Sequence, residues 1–158
     1  MQKAEITYEI RKANVKDANQ IFRILQEFAI KEILLPRSMN SIFENIRDFF
    51  VCEKDGEIIG VSSLHVFWED LAEIKSLAVK EEYQHHGIGK ELVNYCIEDA
   101  KNLGIKKVFA LTYVPEFFEK LGFKVSDKSE FPQKVWTECI HCVKFNDCHE
   151  IPVSLELK

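Results

Sequence analysis

Apolar positions recur along this chain at two different spacings, and the switches between them mark out the elements. Tyr8 to Arg11 alternates like a first strand. From Ala18 to Leu34, residues Ile21, Ile24, Leu25 and Phe28 fall on one helical face, which predicts an amphipathic helix packed on a core. Pro36 in Leu34-Leu35-Pro36-Arg37-Ser38 is read as its stop, since proline cannot continue a helix. A second, short helix is expected from Ile42 to Phe49. The runs Phe49–Lys54 and Glu57–His65 flank Asp55-Gly56, the strongest short signal for a hairpin. Glu69-Asp70 turns the chain into a strand at Leu71–Val79. Leu92, Val93, Cys96, Ile97 and Ala100 then return to helical spacing, with Gly104 past the helix end near Leu103. Lys107–Thr112 reads as a strand, and Pro115 as the first-turn residue of a short helix. Gly122 to Val125 begins another strand, Pro132 to Cys139 a further helix, and Ile151 to Leu157 a closing strand. Strands interleaved with helices in this order define a mixed α/β sheet.

A chain of 158 residues is expected to form one domain, 1–158, with no repeat, linker or low-complexity segment. Hydrophobic residues make up 46% and charged residues 30%, the balance of a soluble globular protein. A net charge of -5 argues against nucleic acid as a partner. No apolar run is long enough to span a membrane, and Met1-Gln-Lys-Ala-Glu5 lacks the apolar stretch of a signal peptide, so the expected compartment is the cytoplasm.

The chemistry concentrates at Gln84-His85-His86-Gly87-Ile88-Gly89, a glycine-bearing loop between a strand and a helix start. Glycines allow a sharp turn and close backbone approach, and the first amides of a helix are unpaired donors at its positive end. The combination suits a pyrophosphate. The glycine patterns of triphosphate and dinucleotide sites are both absent. Gln84-x-x-Gly87-x-Gly89 after a strand, followed about thirty residues later by Phe117-Phe118-Glu-Lys-Leu-Gly122-Phe123, resembles the GCN5-related N-acetyltransferase (GNAT) family over roughly Ile6 to Leu155. The resemblance implies a central mixed sheet flanked by helices, whose two parallel strands, here Leu71–Val79 and Lys107–Thr112, splay apart to admit acetyl-coenzyme A as cosubstrate. It also implies that the backbone of Leu77, Ala78 and Val79 meets the pantetheine arm. Gln84, His85, His86, Gly87, Ile88, Gly89 and Lys90 would hold the diphosphate, and Phe118 would also line the cofactor.

Acetyl transfer to an amine needs a proton acceptor, and the resemblance points to Glu73. Period-two alternation places it with Lys75, Leu77 and Val79 on one face, barring a bulge. The family's usual acid, a tyrosine before the Gly-Phe, is replaced here by Phe118. Tyr113 is the nearest alternative for protonating the leaving thiolate, or it lines the pocket. Within the superfamily, four stretches resemble bacterial amino-acid N-acetyltransferases of the N-acetylglutamate synthase type: Leu35-Pro36-Arg37-Ser38, Ala72–Val79, Leu111–Phe118, and Lys134-Val-Trp136 with Cys139-x-x-Cys142-x5-Cys148. The resemblance is to the short form, without the kinase-like domain through which arginine feeds back. It implies L-glutamate as acceptor, direct transfer in a ternary complex, the first step of arginine biosynthesis, and room for a homodimer. Arg37 can grip a carboxylate in a bidentate fork with Ser38 as a second donor, while Lys75 and Lys134 are either further cations or surface charges.

Five cysteines cannot all pair internally, and a reducing compartment keeps them as thiols or metal ligands. Cys139, Cys142, Cys148 and His149 carry donors suited to zinc, but their spacing departs from two knuckles, so no metal is expected. Cys52 and Cys96 fall at core-like positions. Other readings remain at this point: a peptide, protein N-terminal or other small-amine acetyltransferase, an acetyl-coenzyme A sensor without catalysis, and a zinc-dependent interaction module.

Overall fold

A computed structural model of the chain describes residues 6–131 and 150–158. It divides into two compact units, Met1–Leu64 with Ser76–Cys96 and His65–Lys75 with Ile97–Lys158. The elements in chain order are β1 (Glu9–Lys12), α1 (Ala18–Ile30), α2 (Met39–Glu44), β2 (Phe49–Lys54), β3 (Glu57–Trp68), β4 (Leu71–Val79), α3 (Ile88–Asn102), β5 (Lys107–Thr112), α4 (Pro115–Glu119), β6 (Lys124–Val125) and β7 (Ile151–Glu156). The strands form a mixed seven-stranded sheet in the order β1-β2-β3-β4-β5-β7-β6, the α/β class expected from the interleaved pattern.

In the first unit the apolar face of α1 meets the hairpin. Ile21, Ile24 and Leu25 are buried with Ile42 of α2, Phe49 and Val51 of β2, and Ile58 and Val61 of β3. The hairpin closes through Asp55 and Gly56, both with positive φ (50° and 81°), the geometry that lets a two-residue turn match the twist of its strands. β2 runs antiparallel to β3 from Phe49↔Ser63 to Lys54↔Glu57, with a shift between Cys52 and Glu53. Arg11 of β1 ties this sheet edge to the start of α1. Its Nη1 and Nη2 donate to the two oxygens of buried Asp17 at 2.8 and 3.0 Å, and its Nε donates to Glu53 at 2.9 Å. The Arg11 bonds, with the amide of Asn14, hold the Asp17 carboxyl below its ordinary pKa.

The second unit is built on β5. Parallel pairing with β4 runs Leu71↔Lys107, Ala72↔Val108 and Glu73↔Phe109 and ends there, although both strands continue. On its other side β5 pairs antiparallel with β7 along its whole length, and β7 pairs with β6. Leu71, Phe109 and Phe131 are buried against one another, with Phe109 and Phe131 stacked at 4.2 Å.

Several boundaries differ from the sequence expectation. α1 stops at Ile30, short of Leu34, and proline is not what stops it. Glu32 adopts φ +58°, and the amides of Glu32 and Ile33 turn back to the carbonyls of Ala29 and Phe28, a Schellman cap in which glutamate takes the place usually held by glycine. The second helix starts earlier than Ile42, because the Ser38 hydroxyl accepts the Ser41 amide at 3.0 Å and nucleates α2 at Met39. It also ends earlier: Ile46–Asp48 is a separate short turn and Phe49 already belongs to β2. β3 runs on to Trp68, past the expected end at His65, since Val66, Phe67 and Trp68 are residues that favour a pleated backbone. The helix expected from Pro132 to Cys139 lies outside the described residues. Among the described residues no helix is long and apolar enough to cross a membrane.

Two outcomes are expected. Glu32→Gly relieves a left-handed backbone that costs a non-glycine residue about 1–2 kcal/mol, so it raises the denaturant midpoint without changing the slope of the transition. Asp17→Asn lowers stability at neutral pH by about 2 kcal/mol, the scale of hydrogen bonds to a charged group. Because folding depresses the Asp17 pKa, its contribution is present above the unfolded-state value and is lost as pH falls through the folded one. Wild type and variant therefore converge in stability on acidification, as read from urea titrations across pH.

Candidate active site

β4 changes character at Ser76. This residue has φ +57° inside the strand, a left-handed conformation that strand residues other than glycine rarely adopt. The alternation that would align Glu73, Lys75, Leu77 and Val79 therefore does not run through Ser76, which corrects the sequence expectation. The Ser76 hydroxyl accepts a hydrogen bond from Arg37 Nη1 at 3.0 Å. Arg37, at the entry to α2, also donates to the Ser41 hydroxyl from Nε at 3.2 Å and from Nη2 at 3.1 Å. Its guanidinium carbon lies 4.9 Å from the centre of the buried Phe49 ring. The hydroxyls of Ser41 and Ser76 and the Phe49 face thus help hold the guanidinium. Ser38, beside it, is exposed and caps α2.

The glycine loop is tied to the end of β4 by Gln84, whose Nε2 donates to the Val79 carbonyl at 2.9 Å. His85 and Gly87 both have positive φ, 69° and 82°, so the backbone turns twice before α3 starts. The Glu91 amide, bonded to the Gly87 carbonyl at 3.1 Å, is the first in the helical ladder. The amides of Ile88, Gly89 and Lys90 are those a helix start leaves for an outside acceptor. Such a donor set, at the positive end of a fifteen-residue helix, fits an anion such as a diphosphate. Gly60 lets α3 come this close. A Cβ there would lie 3.1 Å from Leu92 Cδ1, 3.4 Å from Ile88 Cγ2 and 3.5 Å from the Ala78 carbonyl oxygen. Ile88 and Ala78 are buried at this contact, and Leu77 and Val79 are half-buried on either side of Ala78. His86 is half-buried, and Lys90 is exposed. Glu91 accepts from the Tyr8 hydroxyl at 2.9 Å, and burial together with this bond pushes the Tyr8 pKa up to about 12. Nearby Cys52 is buried, and desolvation, aided by the charge of Glu91, raises its thiol to about 12.

In the other unit, Glu73 pairs with Phe109 at the last rung between β4 and β5 and is 3% exposed. The Lys75 ammonium sits 5.8 Å from the centre of the Phe67 ring. Tyr113, just past β5, is 38% exposed. Phe118 of α4 is 4% exposed and packs edge-on against Phe117 and Phe123. Lys134, Cys139, Cys142, Cys148 and His149 lie outside the described residues. Among those described, no cluster of His, Cys, Asp or Glu could hold a metal ion.

A glycine loop that leads from a strand end into the open amides of a helix start is the framework of a protein that grips an anion. The chain belongs to the acetyltransferase (GNAT) family, whose model matches residues 17–123, and it is an N-acetyltransferase. An uncharacterized N-acetyltransferase of Chlorobaculum tepidum is 42% identical over 142 residues, covering 90% of this chain and 92% of that protein. An amino-acid acetyltransferase of Mycobacterium tuberculosis is 33% identical over 132 residues, 82% of this chain and 75% of the relative. Among solved structures, N-acetylglutamate synthase from Neisseria gonorrhoeae complexed with coenzyme A and N-acetyl-glutamate matches with a TM-score of 0.86 at 28% identity, covering 98% of this chain and 36% of that one.

Sequence reasoning missed Ser41, Ser76 and Gly60. Ser41 stands one helical turn after Arg37, a spacing that could have been read. Nothing in Lys75-Ser76-Leu77 signals a left-handed residue, and the role of Gly60 depends on a helix nearly thirty residues further along.

Proposed function

We propose that this enzyme transfers the acetyl group of acetyl-coenzyme A to the α-amino group of L-glutamate, the first step of arginine biosynthesis. The observation that supports the reading is the Arg37 guanidinium, held by Ser41, Ser76 and the Phe49 ring, a planar cation suited to a carboxylate. The amino-acid acetyltransferase relatives, and the N-acetyl-glutamate held by the Neisseria gonorrhoeae enzyme, support an acidic amino acid as acceptor.

In this reading the amides of Ile88, Gly89 and Lys90, with the loop from Gln84 to Gly87, hold the coenzyme's diphosphate. The backbone of Leu77, Ala78 and Val79 meets the pantetheine arm, and one of those amides stabilises the oxyanion that forms on the thioester carbonyl. Arg37 holds one substrate carboxylate in a charge-assisted fork, with Ser38 and Lys75 as further polar contacts. Glu73 accepts the proton that the amine loses as the nitrogen–carbon bond forms and the carbon–sulfur bond breaks. Tyr113 is the group able to return a proton to the departing sulfur, the family's tyrosine being replaced by Phe118.

Two experiments test this. Free-thiol release from acetyl-coenzyme A, measured against L-amino acids and short peptides, is expected to be fastest with L-glutamate and clearly slower with L-aspartate, while release only with peptides discards the amino-acid assignment. Glu73→Gln is expected to lower kcat by about 100-fold, the low end of general-base contributions, with both KM values within about twofold of wild type. Wild-type turnover in that variant at every pH removes Glu73 as the base.

A further inference from the structure

We propose that Ser76 is a positioning residue, which holds the Arg37 guanidinium for the acceptor carboxylate from a left-handed site within β4, with Ser41 as the second anchor. The inference rests on the reading of Arg37 as the carboxylate-binding group.

The geometry carries it. Ser41 Oγ takes the Nε–Nη2 edge of the guanidinium in two bonds, at 3.2 and 3.1 Å, and Ser76 Oγ takes Nη1 at 3.0 Å. The Phe49 ring, 4.9 Å from the guanidinium carbon, limits motion out of the plane. Arginine binds a carboxylate best when its planar fork is already oriented, because little rotamer freedom is then lost on binding. Hydroxyl anchors supply that orientation and bring no negative charge of their own. A carboxylate in either place would compete with the substrate for it.

The backbone at Ser76 makes the same point independently. A left-handed φ of +57° in a strand would suit glycine, and serine adopts it at a cost of about 1–2 kcal/mol. Backbone strain of this kind persists where the surroundings hold it in place, and it clusters at functional positions. Glycine would remove the strain and also remove the hydroxyl that Arg37 uses. The same left-handed residue interrupts the strand three positions after Glu73, so the proposed base and the anchor of the carboxylate-binding group are carried by one element.

This backbone also provides a clean test, because Ser76→Gly deletes the hydroxyl while relaxing the chain. Initial rates of thiol release are measured with L-glutamate and acetyl-coenzyme A varied in turn, alongside Arg37→Ala, Ser41→Ala and Ser41→Thr. Ser76→Gly is expected to melt no lower than wild type, yet to raise KM for L-glutamate about five- to tenfold, the scale of one net intramolecular hydrogen bond, with kcat and KM for acetyl-coenzyme A within twofold. Ser41→Ala behaves likewise, and Ser41→Thr restores the wild-type constant. Adding Ser76→Gly to Arg37→Ala raises KM no further than Arg37→Ala alone. A wild-type KM for L-glutamate in Ser76→Gly, while Arg37→Ala raises it, overturns the positioning role and leaves Arg37 in place. An unchanged KM in Arg37→Ala overturns the reading of Arg37 and this inference with it.

Discussion

Within its nine residues β4 meets two demands that a regular strand cannot meet together. Its first rungs are committed to parallel pairing with β5, which ends at Glu73↔Phe109. Its later residues have to offer a side chain to Arg37 and lead into the glycine loop, where Gln84 fastens the strand end through the Val79 carbonyl. The left-handed residue at Ser76 separates the two halves. Without it, a strict pleat would fix every later side chain by its parity with Glu73. The hydroxyl that meets Arg37 is carried by that one departure from regular geometry.

The glycines near the loop illustrate two different physical needs. Gly87 is required by its backbone angle, since an added Cβ would meet nothing within 4 Å while φ is +82°. Gly60 is required by space, because the first turns of α3 rest on it. Losing the first would strain the approach to α3, and a Cβ at the second would make the Leu92 side chain give by a few tenths of an ångström. The start of α3 thus packs its Ile88 and Leu92 side chains closely over a glycine of a different strand.

How far the sequence could be read depends on whether each feature is local. The Asp55-Gly56 hairpin, the β4 and β5 bounds, Pro115 at the head of α4 and Gly104 at the foot of α3 each rest on residues adjacent in the chain, and the structure agrees with all of them. The end of α1 is hidden in the sequence because its cap uses glutamate where glycine is the recognisable signal, and Pro36 is the more conspicuous stop. Within the candidate site, Arg37, Glu73 and the loop could be named from motif resemblance. Their supports could not, since the hydroxyl of Ser76 meets Arg37 from thirty-nine positions away and nothing in the local composition announces its backbone angle.

The burial of Cys52 has a consequence for an enzyme that makes a free thiol at every turnover. Burial, aided by the charge of Glu91, lifts the Cys52 pKa far above neutrality, so the thiolate is scarce at neutral pH. Mixed-disulfide formation and acyl exchange onto sulfur both require the thiolate. Cys52 is thereby insulated from product and donor alike, and the acetyl group has no sulfur at this position on which to be stranded.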